Sequence, residues 1–216
     1  MIRIENTEVF GWEAAIRGMR NPLNSWRKSD SHFWEITPVE VGDNDISLMK
    51  KLCKAGTDHR KFMRMINVTC DIIAPRYWWT EFDTYKVGTV RNSCSTMHTI
   101  MSKEFALDDF SHEHFMGNSP EVMNEIISAL NMWRECYIQL DKSGGDSSDL
   151  KTCWWQIIQL LPQSYNQRAT VQMNYEVLTN MYHSRKNHKL DEWREFCKWV
   201  ESLPYSELIT GDSYAD

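Results

Sequence analysis

Hydrophobic and polar residues alternate most clearly from Met65 to Ile73, where apolar side chains occupy every second position and Asn, Thr and Asp lie between them. Because successive side chains of a strand point to opposite faces, this pattern predicts a β-strand with one buried face. Ala74-Pro75 ends the strand, since proline cannot donate to a sheet ladder. Shorter runs of strand type are Ile2 to Ile4 and Trp34 to Val41.

Apolar residues at helical spacing predict several helices in the rest of the chain. The strongest start signal is Ser119-Pro120-Glu121, which combines a capping residue, a proline at the first helical position and an acid near the positive end of the helix dipole. A linker-like loop follows at Lys142 to Ser148, and Pro162 ends the next helix. The predicted helices are Asp45 to Lys54, Ser119 to about Leu140, Asp149 to Leu161, about Thr170 to Arg185 and Asp191 to Ser202.

Composition and charge exclude several classes of protein. The 216 residues carry a net charge of -6, which disfavours binding to a nucleic-acid backbone. No apolar run approaches the length that spans a membrane, and Met1 to Glu5 lacks the apolar segment of a signal peptide, so we expect a cytoplasmic protein without membrane contact. The cysteines form no C-x-x-C pair, and we interpret them as reduced, mostly buried thiols.

An amide and a guanidinium share one face of the predicted helix Thr170 to Arg185. Asn174 and Arg185 are 11 residues apart, and at about 100° per residue they point in nearly the same direction. Buried polar groups need partners, and a bound ligand is one interpretation of the pair. The other interpretation is that Asn174 caps a neighbouring element while Arg185 lies in solvent at a frayed helix end.

The spacing of Leu161-Pro162, Asn174, Asn180 and Arg185 resembles a set of residues in the flavin-dependent thymidylate synthases. The order of elements from about Ser47 to Leu208 is also similar. In that family the two asparagines contact the flavin, and the arginine holds the uracil ring of dUMP. The resemblance therefore implies that Asn174 and Asn180 bind the cofactor. It implies that Arg185 binds the substrate and acts in catalysis by stabilising charge on the ring carbonyl.

The family signature, R-H-R-x-x-S-x-N-E-x-S-x-R-Y, has a partial counterpart after Ala74-Pro75. Lys86 retains one positive charge of the first triplet, and Asn92 and Ser95 match if one residue is inserted. Lys86 and Asn92 are therefore expected contacts of the cofactor, and Ser93 and Ser95 are expected contacts of the nucleotide. An ordinary polar loop is the alternative interpretation of the serines.

Several positions depart from the family pattern where it has arginine. Thr84, Met97, Ile158 and Glu176 occupy them. None of these side chains is a cation, whereas a nucleotide phosphate needs cations or converging N–H donors. Near a phosphate, Glu176 would add repulsion. The sequence therefore leaves open whether dUMP itself is the substrate.

The resemblance implies an α+β fold in which a mixed or antiparallel sheet is flanked by long helices, within a single domain of residues 1–216. The implied activity is reductive methylation of dUMP or a related pyrimidine nucleotide, with FAD as cofactor, methylenetetrahydrofolate as carbon donor and NADPH as reductant. The family forms homotetramers whose active sites draw on several subunits, so a homotetramer is expected. The alternative is a non-catalytic oligomeric or nucleotide-binding module that keeps the fold.

Three further patterns favour structural roles. His112 and His114 lack a further spaced ligand, so no metal site is predicted. The pairs Trp78-Trp79 and Trp154-Trp155 could stack on a flavin, but core or subunit-interface packing is the preferred interpretation. An apolar stripe on the last predicted helix is interpreted as core packing, and its members are Trp193, Phe196, Cys197 and Val200.

Overall fold

The computed structural model describes residues 1–33 and 39–211 of the chain. In this part of the chain the strands are β1 (Arg3–Phe10), β2 (Asn67–Pro75), β3 (Thr89–Ser93) and β4 (Asn166–Asn174). The helices are α1 (Trp12–Arg20), α2 (Asp43–Lys54), α3 (Arg76–Phe82), α4 (Thr96–Thr99), α5 (Ser119–Lys142), α6 (Ser147–Leu160), α7 (Tyr175–Arg185), α8 (Asp191–Glu201) and α9 (Glu207–Thr210). Short 3-10 helices lie at Asn21–Leu23, Trp26–Lys28, Arg60–Met65 and Leu107–Asp109.

The strands form one sheet in the order β1-β2-β4-β3. The side chains of Asn6 in β1 and Asp71 in β2 are joined by a hydrogen bond of 2.8 Å. Two residues further along β1, Glu8 pairs with Thr69, two residues earlier in β2. Such a register is antiparallel. The fold is therefore α+β with an antiparallel sheet, which confirms the predicted fold class.

Strand β2 confirms the clearest prediction from the sequence. Its buried residues alternate with half-buried ones as far as Ala74, and the strand ends at Pro75. The run Ile2 to Ile4 overlaps β1. Of the predicted run Trp34 to Val41, residues 34–38 lie outside the described residues.

Helices α2, α5, α6 and α8 lie where the sequence predicts them, within two residues at each end. The N-cap of α5 is Asn118, one residue before the predicted Ser119. The predicted helix Thr170 to Arg185 is wrong in its first part, because residues as far as Asn174 belong to β4. The alternation of strand side chains continues through this segment, where the buried residues are Ala169, Val171 and Met173.

The described chain divides into two compact units. Unit 1 comprises Met1–Arg3, Ile73–Phe82 and Ser93–Ala169. Unit 2 comprises Ile4–Ile72, Asp83–Asn92 and Thr170–Asp216. None of the helices within residues 1–33 and 39–211 is both long and apolar enough to cross a bilayer. A single domain of residues 1–216 stays a prediction.

Each unit has its own buried apolar residues. In unit 1, Ile127 and Leu130 of α5 pack with Ile157 of α6 in one cluster. In unit 2, the apolar stripe of α8 is buried along its whole length, which confirms its interpretation as core packing. Burying such side chains is the main favourable contribution to folding in both units.

The cysteines are free thiols, and four of the six are buried, as the sequence predicts. Cys136 is half-buried and Cys94 is exposed. Burial raises the pKa of Cys70 and of Cys197 to about 12, so both thiols stay protonated at neutral pH.

Candidate active site

Asn174 lies at the junction between β4 and α7, where it caps the helix. Its side-chain Oδ1 accepts a hydrogen bond from the backbone N–H of Val177, at 2.9 Å. An asparagine at this position satisfies one of the N–H groups that a helix start leaves without a partner. The predicted helical face shared by Asn174 and Arg185 is therefore wrong, because Asn174 precedes the first helical residue. Asn174 caps its own helix and not a neighbouring element.

Arg185, the last residue of α7, is half-buried and held by two aromatic rings. Its Nε donates a hydrogen bond of 2.9 Å to the hydroxyl oxygen of Tyr85. The guanidinium carbon lies 4.8 Å from the ring centroid of Trp193 and 5.5 Å from that of Tyr85. Cation–π attraction at these distances adds to the hydrogen bond. Arg185 is thus an ordered cation and does not lie in bulk solvent.

The short segment from Tyr85 to Gly88 contacts both ends of α7. Gly88 has a φ of +81°, and a Cβ placed there would lie 2.8 Å from Nδ2 of Asn174. Tyr85, three residues earlier, binds Arg185. Helical side chains lean toward the N-terminus of their helix, so the guanidinium reaches back along α7 toward this segment. We call Asn174, Arg185 and the segment Tyr85 to Gly88 the α7 site.

Two cations belong to the α7 site. Lys86 is exposed and lies between the residues that contact Arg185 and Asn174. The neighbouring Asp83 does not cancel these charges, because its carboxylate pairs with Arg91 at 2.7 Å. A guanidinium and an ammonium each favour an anionic or carbonyl-bearing ligand.

Glu176 forms a buried ion pair with Arg60. It is 7% exposed, and both of its carboxylate oxygens accept hydrogen bonds from Nε of Arg60, at 3.2 and 3.1 Å. Its charge is therefore compensated inside unit 2. The expectation that Glu176 repels a phosphate is not supported, since the carboxylate is used in this ion pair.

The remaining predicted cofactor residues of unit 2 are exposed. Asn180 lies on α7, where a step of five residues from Arg185 corresponds to about 140° around the helix axis. Asn92 lies on β3, which is an edge strand of the sheet. Asn180 therefore lies on a different side of α7 from Arg185.

The predicted substrate residues Ser93 and Ser95 belong to unit 1. Ser93 ends β3 and is exposed. Ser95 is half-buried and caps the one-turn helix α4, since its Oγ accepts a hydrogen bond from the backbone N–H of His98 at 3.3 Å. The segment is therefore a strand end followed by a capped turn.

Two residues of unit 1, Met97 and Ile158, occupy positions at which the family pattern has arginine. Met97 is exposed, and its carbonyl oxygen accepts a hydrogen bond of 3.1 Å from Nε1 of Trp154. Ile158 packs against the apolar cluster of α5 and α6. Neither side chain brings a positive charge to a ligand.

Trp78 and Trp79 are buried and pack edge to face, with ring centroids 4.9 Å apart, as expected for core residues. The Nδ1–H of His112 donates a hydrogen bond to the carbonyl oxygen of Phe110, at 2.9 Å. Within residues 1–33 and 39–211, no cluster of three or more His, Cys, Asp or Glu residues is arranged to hold a metal ion.

Three residues of unit 2 were not singled out in the sequence as partners of this site. Tyr85 lies in the triplet that aligns with R-H-R, and its contact with Arg185 joins positions 100 residues apart. Arg60 and Trp193 likewise contact α7 from other elements. No local pattern marks such pairs, because they depend on how the elements pack.

No protein-family model and no curated protein sequence matches the chain. Among solved structures, it is similar to thymidylate synthase X from Helicobacter pylori with FAD and dUMP, with a TM-score of 0.69 at 14% sequence identity over 100% of both chains. This chain shares the fold of that enzyme. A second structure of the Helicobacter pylori thymidylate synthase X, complexed with FAD and dUMP, has a TM-score of 0.67 at 16% identity, over 99% of this chain and 100% of the other.

The thymidylate synthase X fold agrees with the resemblance seen in the sequence, and the low identity agrees with the departures from the family signature. In this chain the fold presents an ordered arginine at the end of α7. It also presents non-cationic residues at several positions where the family pattern has arginine.

Proposed function

We propose that this chain is a divergent flavin-dependent thymidylate synthase-like enzyme that reductively methylates dUMP or a related pyrimidine nucleotide. FAD is the proposed cofactor, methylenetetrahydrofolate the carbon donor and NADPH the reductant. The observation that carries the proposal is the ordered guanidinium of Arg185, held by Tyr85 and Trp193 in the fold of an enzyme that binds FAD and dUMP. A half-buried cation that protein contacts hold in place is suited to recognising a ligand.

Arg185 has a defined chemical task in this proposal. Methylation at C5 of a uracil ring requires that carbon to act as a nucleophile, which places negative charge on the ring carbonyl. A fixed guanidinium beside the carbonyl oxygen stabilises that charge as it develops. FAD, when bound, supplies the redox chemistry of the reduction.

The other predicted residues are assigned to binding. Asn174, Asn180, Lys86 and Asn92 are proposed contacts of the flavin cofactor, and Ser93 and Ser95 are proposed contacts of the nucleotide. The place of Asn174 and Lys86 in the α7 site supports the proposal for these two residues. Asn180 is exposed on another face of α7, where a second subunit of the proposed homotetramer would bring the flavin to it.

A second candidate function is a non-catalytic, nucleotide-binding or oligomeric module. The observation in its favour is that none of the four family arginine positions carries a cation, since Thr84, Met97, Ile158 and Glu176 occupy them. Met97 is exposed, Ile158 packs in an apolar cluster, and Glu176 pairs with Arg60. Such a module would bind a ligand without turning it over.

The test begins with FAD binding to the purified protein, measured by the quenching of flavin fluorescence. We expect saturable binding, and then release of tritium from 5-labelled dUMP in the presence of methylenetetrahydrofolate and NADPH. Arg185→Gln should abolish tritium release, whereas Arg194→Gln, at an exposed arginine of α8, should leave it unchanged. FAD binding without tritium release from either dUMP or other uracil nucleotides favours the module. Absence of FAD binding contradicts the enzyme proposal.

A further inference from the structure

Two cysteines of unit 1 face each other across the hairpin formed by α5 and α6. Cys136 lies seven residues before Ser143, and Cys153 lies seven residues after Asp146, which are the ends of the connecting turn. Residues at equal distances from the turn of an antiparallel helix pair lie at the same level. The two sulfur atoms are accordingly 3.3 Å apart, in a contact where the Cys153 thiol donates to Cys136.

The two thiols differ in accessibility. Cys153 is 3% exposed, and burial together with the adjacent Cys136 raises its pKa to about 11. Cys136 is half-buried, so a small oxidant reaches its sulfur first. An accessible thiol beside a second thiol is the usual arrangement of an oxidisable pair.

We propose that Cys136 and Cys153 are a modification site at which a peroxide forms a disulfide between α5 and α6. In the first step the Cys136 thiol loses its proton, and the thiolate attacks a peroxide oxygen and breaks the O–O bond. The departing hydroxide takes up that proton, which leaves a sulfenic acid and one water. In the second step the Cys153 sulfur displaces the sulfenic oxygen as a second water. Two thiols and one hydrogen peroxide thus give one disulfide and two waters, and the two thiols are oxidised by two electrons.

The disulfide requires little movement. Its sulfur–sulfur bond is about 2.05 Å long, so the sulfurs must approach by roughly 1.2 Å. Rotation about the side-chain torsions of two facing cysteines can supply a displacement of this size. The new bond would close a loop of residues 136–153 and reduce the conformational freedom of the unfolded hairpin.

The crosslink also acts next to a contact that orders α4. Trp154, adjacent to Cys153, donates its indole N–H to the carbonyl of Met97, at 3.1 Å. A disulfide between α5 and α6 would therefore restrain Trp154, which hydrogen-bonds to α4. The proposal concerns unit 1 alone and does not depend on the proposed enzymatic function.

The other cysteines provide matched comparisons. Cys94 is exposed, and its carbonyl oxygen accepts a hydrogen bond from the side-chain amide of Gln167. The sulfur of Cys53 lies 3.4 Å from the thioether of Met63, which cannot form a disulfide. Peroxide should therefore oxidise Cys94 to sulfenic, sulfinic or sulfonic acid. It should form an intramolecular disulfide only between Cys136 and Cys153.

The test is peptide mapping of the full chain after treatment with hydrogen peroxide. Trypsin cleaves at Arg134, Lys142, Lys151 and Arg168, so that residues 135–142 and 152–168 each carry one cysteine. We expect these two peptides to be recovered as one crosslinked species, lighter by two hydrogens than their sum, and to separate on reduction. Cys136→Ser should abolish the crosslink, whereas Cys94→Ser should leave it intact.

Thermal unfolding supplies a second measurement on the wild-type chain. The oxidised protein should melt roughly 5 °C or more above the reduced protein, and the difference should disappear on addition of a phosphine reductant. Recovery of the two peptides unlinked, with Cys136 further oxidised, contradicts the proposal. A crosslink between any other pair of cysteines contradicts it as well.

Discussion

Arg185 illustrates how aromatic neighbours turn a flexible side chain into an ordered one. A free arginine loses about 2 kcal/mol of rotamer entropy when it is fixed. In this chain the hydroxyl of Tyr85 and the ring of Trp193 hold the guanidinium in place. The protein contacts therefore offset much of the entropic cost of fixing Arg185, and a ligand that binds this side chain does not bear that cost again.

Tyr85→Phe isolates the hydrogen bond, because it removes the hydroxyl and retains the ring. We expect the dissociation constant of dUMP to rise about three- to tenfold, since Arg185 loses one positioning hydrogen bond and a typical net hydrogen bond contributes roughly 0.5–1.5 kcal/mol. Isothermal titration calorimetry of the FAD-loaded protein measures the change. Tyr137→Phe, on α5 of unit 1, is the control and should bind as the wild type does. Equal affinity of the Tyr85 variant would show that the hydroxyl does not position Arg185.

The buried pair Arg60 and Glu176 is a second feature at the residue scale. The side chains are 7% and 9% exposed, so removing one partner leaves an uncompensated buried charge. We expect Arg60→Met to lower the free energy of unfolding by about 3–5 kcal/mol, as measured by urea denaturation.

The double variant Arg60→Met with Glu176→Met removes both charges together. Its loss of stability should be smaller than the sum of the two single losses, because neither charge is left unpaired. Additive losses would show that the two side chains do not interact.

At the scale of elements, the junction of β4 and α7 determines the α7 site. Asn174 ends the strand and caps the helix, while the turn at Gly88 packs against its amide. The positive φ of Gly88 favours glycine, because a Cβ is disfavoured in the left-handed region. The turn and the helix start therefore depend on each other.

Gly88→Ala tests this dependence. Gly56 offers a matched control, since its φ is +98° and a Cβ there would meet no atom within 4 Å. Both substitutions introduce backbone strain of roughly 1 kcal/mol, but only Gly88→Ala also displaces Asn174. We expect Gly88→Ala to be the more destabilising by about 1 kcal/mol in urea denaturation, through loss of the helix cap. Equal effects would show that Asn174 tolerates the added methyl group.

At the scale of the whole molecule, the ion pair of Arg20 and Asp45 links stability to pH. The side chains are 4% and 0% exposed, and Nε lies 2.6 Å from Oδ1. Burial alone would raise the pKa of Asp45. Hydrogen bonds from Ser31, Ser29 and Arg20 outweigh burial and lower that pKa below its ordinary value.

The sign of the pH effect follows from the lowered pKa. The contribution of Asp45 to stability is complete above its unfolded-state pKa, near 4, and is lost as the pH falls through the folded-state pKa. We expect Asp45→Asn to lower the free energy of unfolding by about 3–5 kcal/mol at neutral pH, because Arg20 loses its buried partner. In urea denaturation the difference from the wild type should shrink below about pH 4. A difference that stays constant to lower pH would contradict this role of Asp45.

Much of the architecture could be predicted at the level of single elements. The alternation in β2 and the helical spacing in α2, α5, α6 and α8 depend on the local period of apolar residues. The same local reasoning misplaced the start of α7, because residues 170–174 carry both polar and apolar groups that fit either a strand or a helix. Pairing with β2 in the sheet decided in favour of the strand.

The sequence by itself determined the buried faces of several elements, the acidic charge and the spaced Asn174, Asn180 and Arg185, and the family resemblance carried by that spacing implied the α+β class. These properties depend on residue type and short spacing. Only the tertiary structure decided that Tyr85 and Trp193 hold Arg185, that Arg60 compensates Glu176, and that Cys136 faces Cys153. Such contacts join residues from separate elements, and packing, rather than local periodicity, selects them.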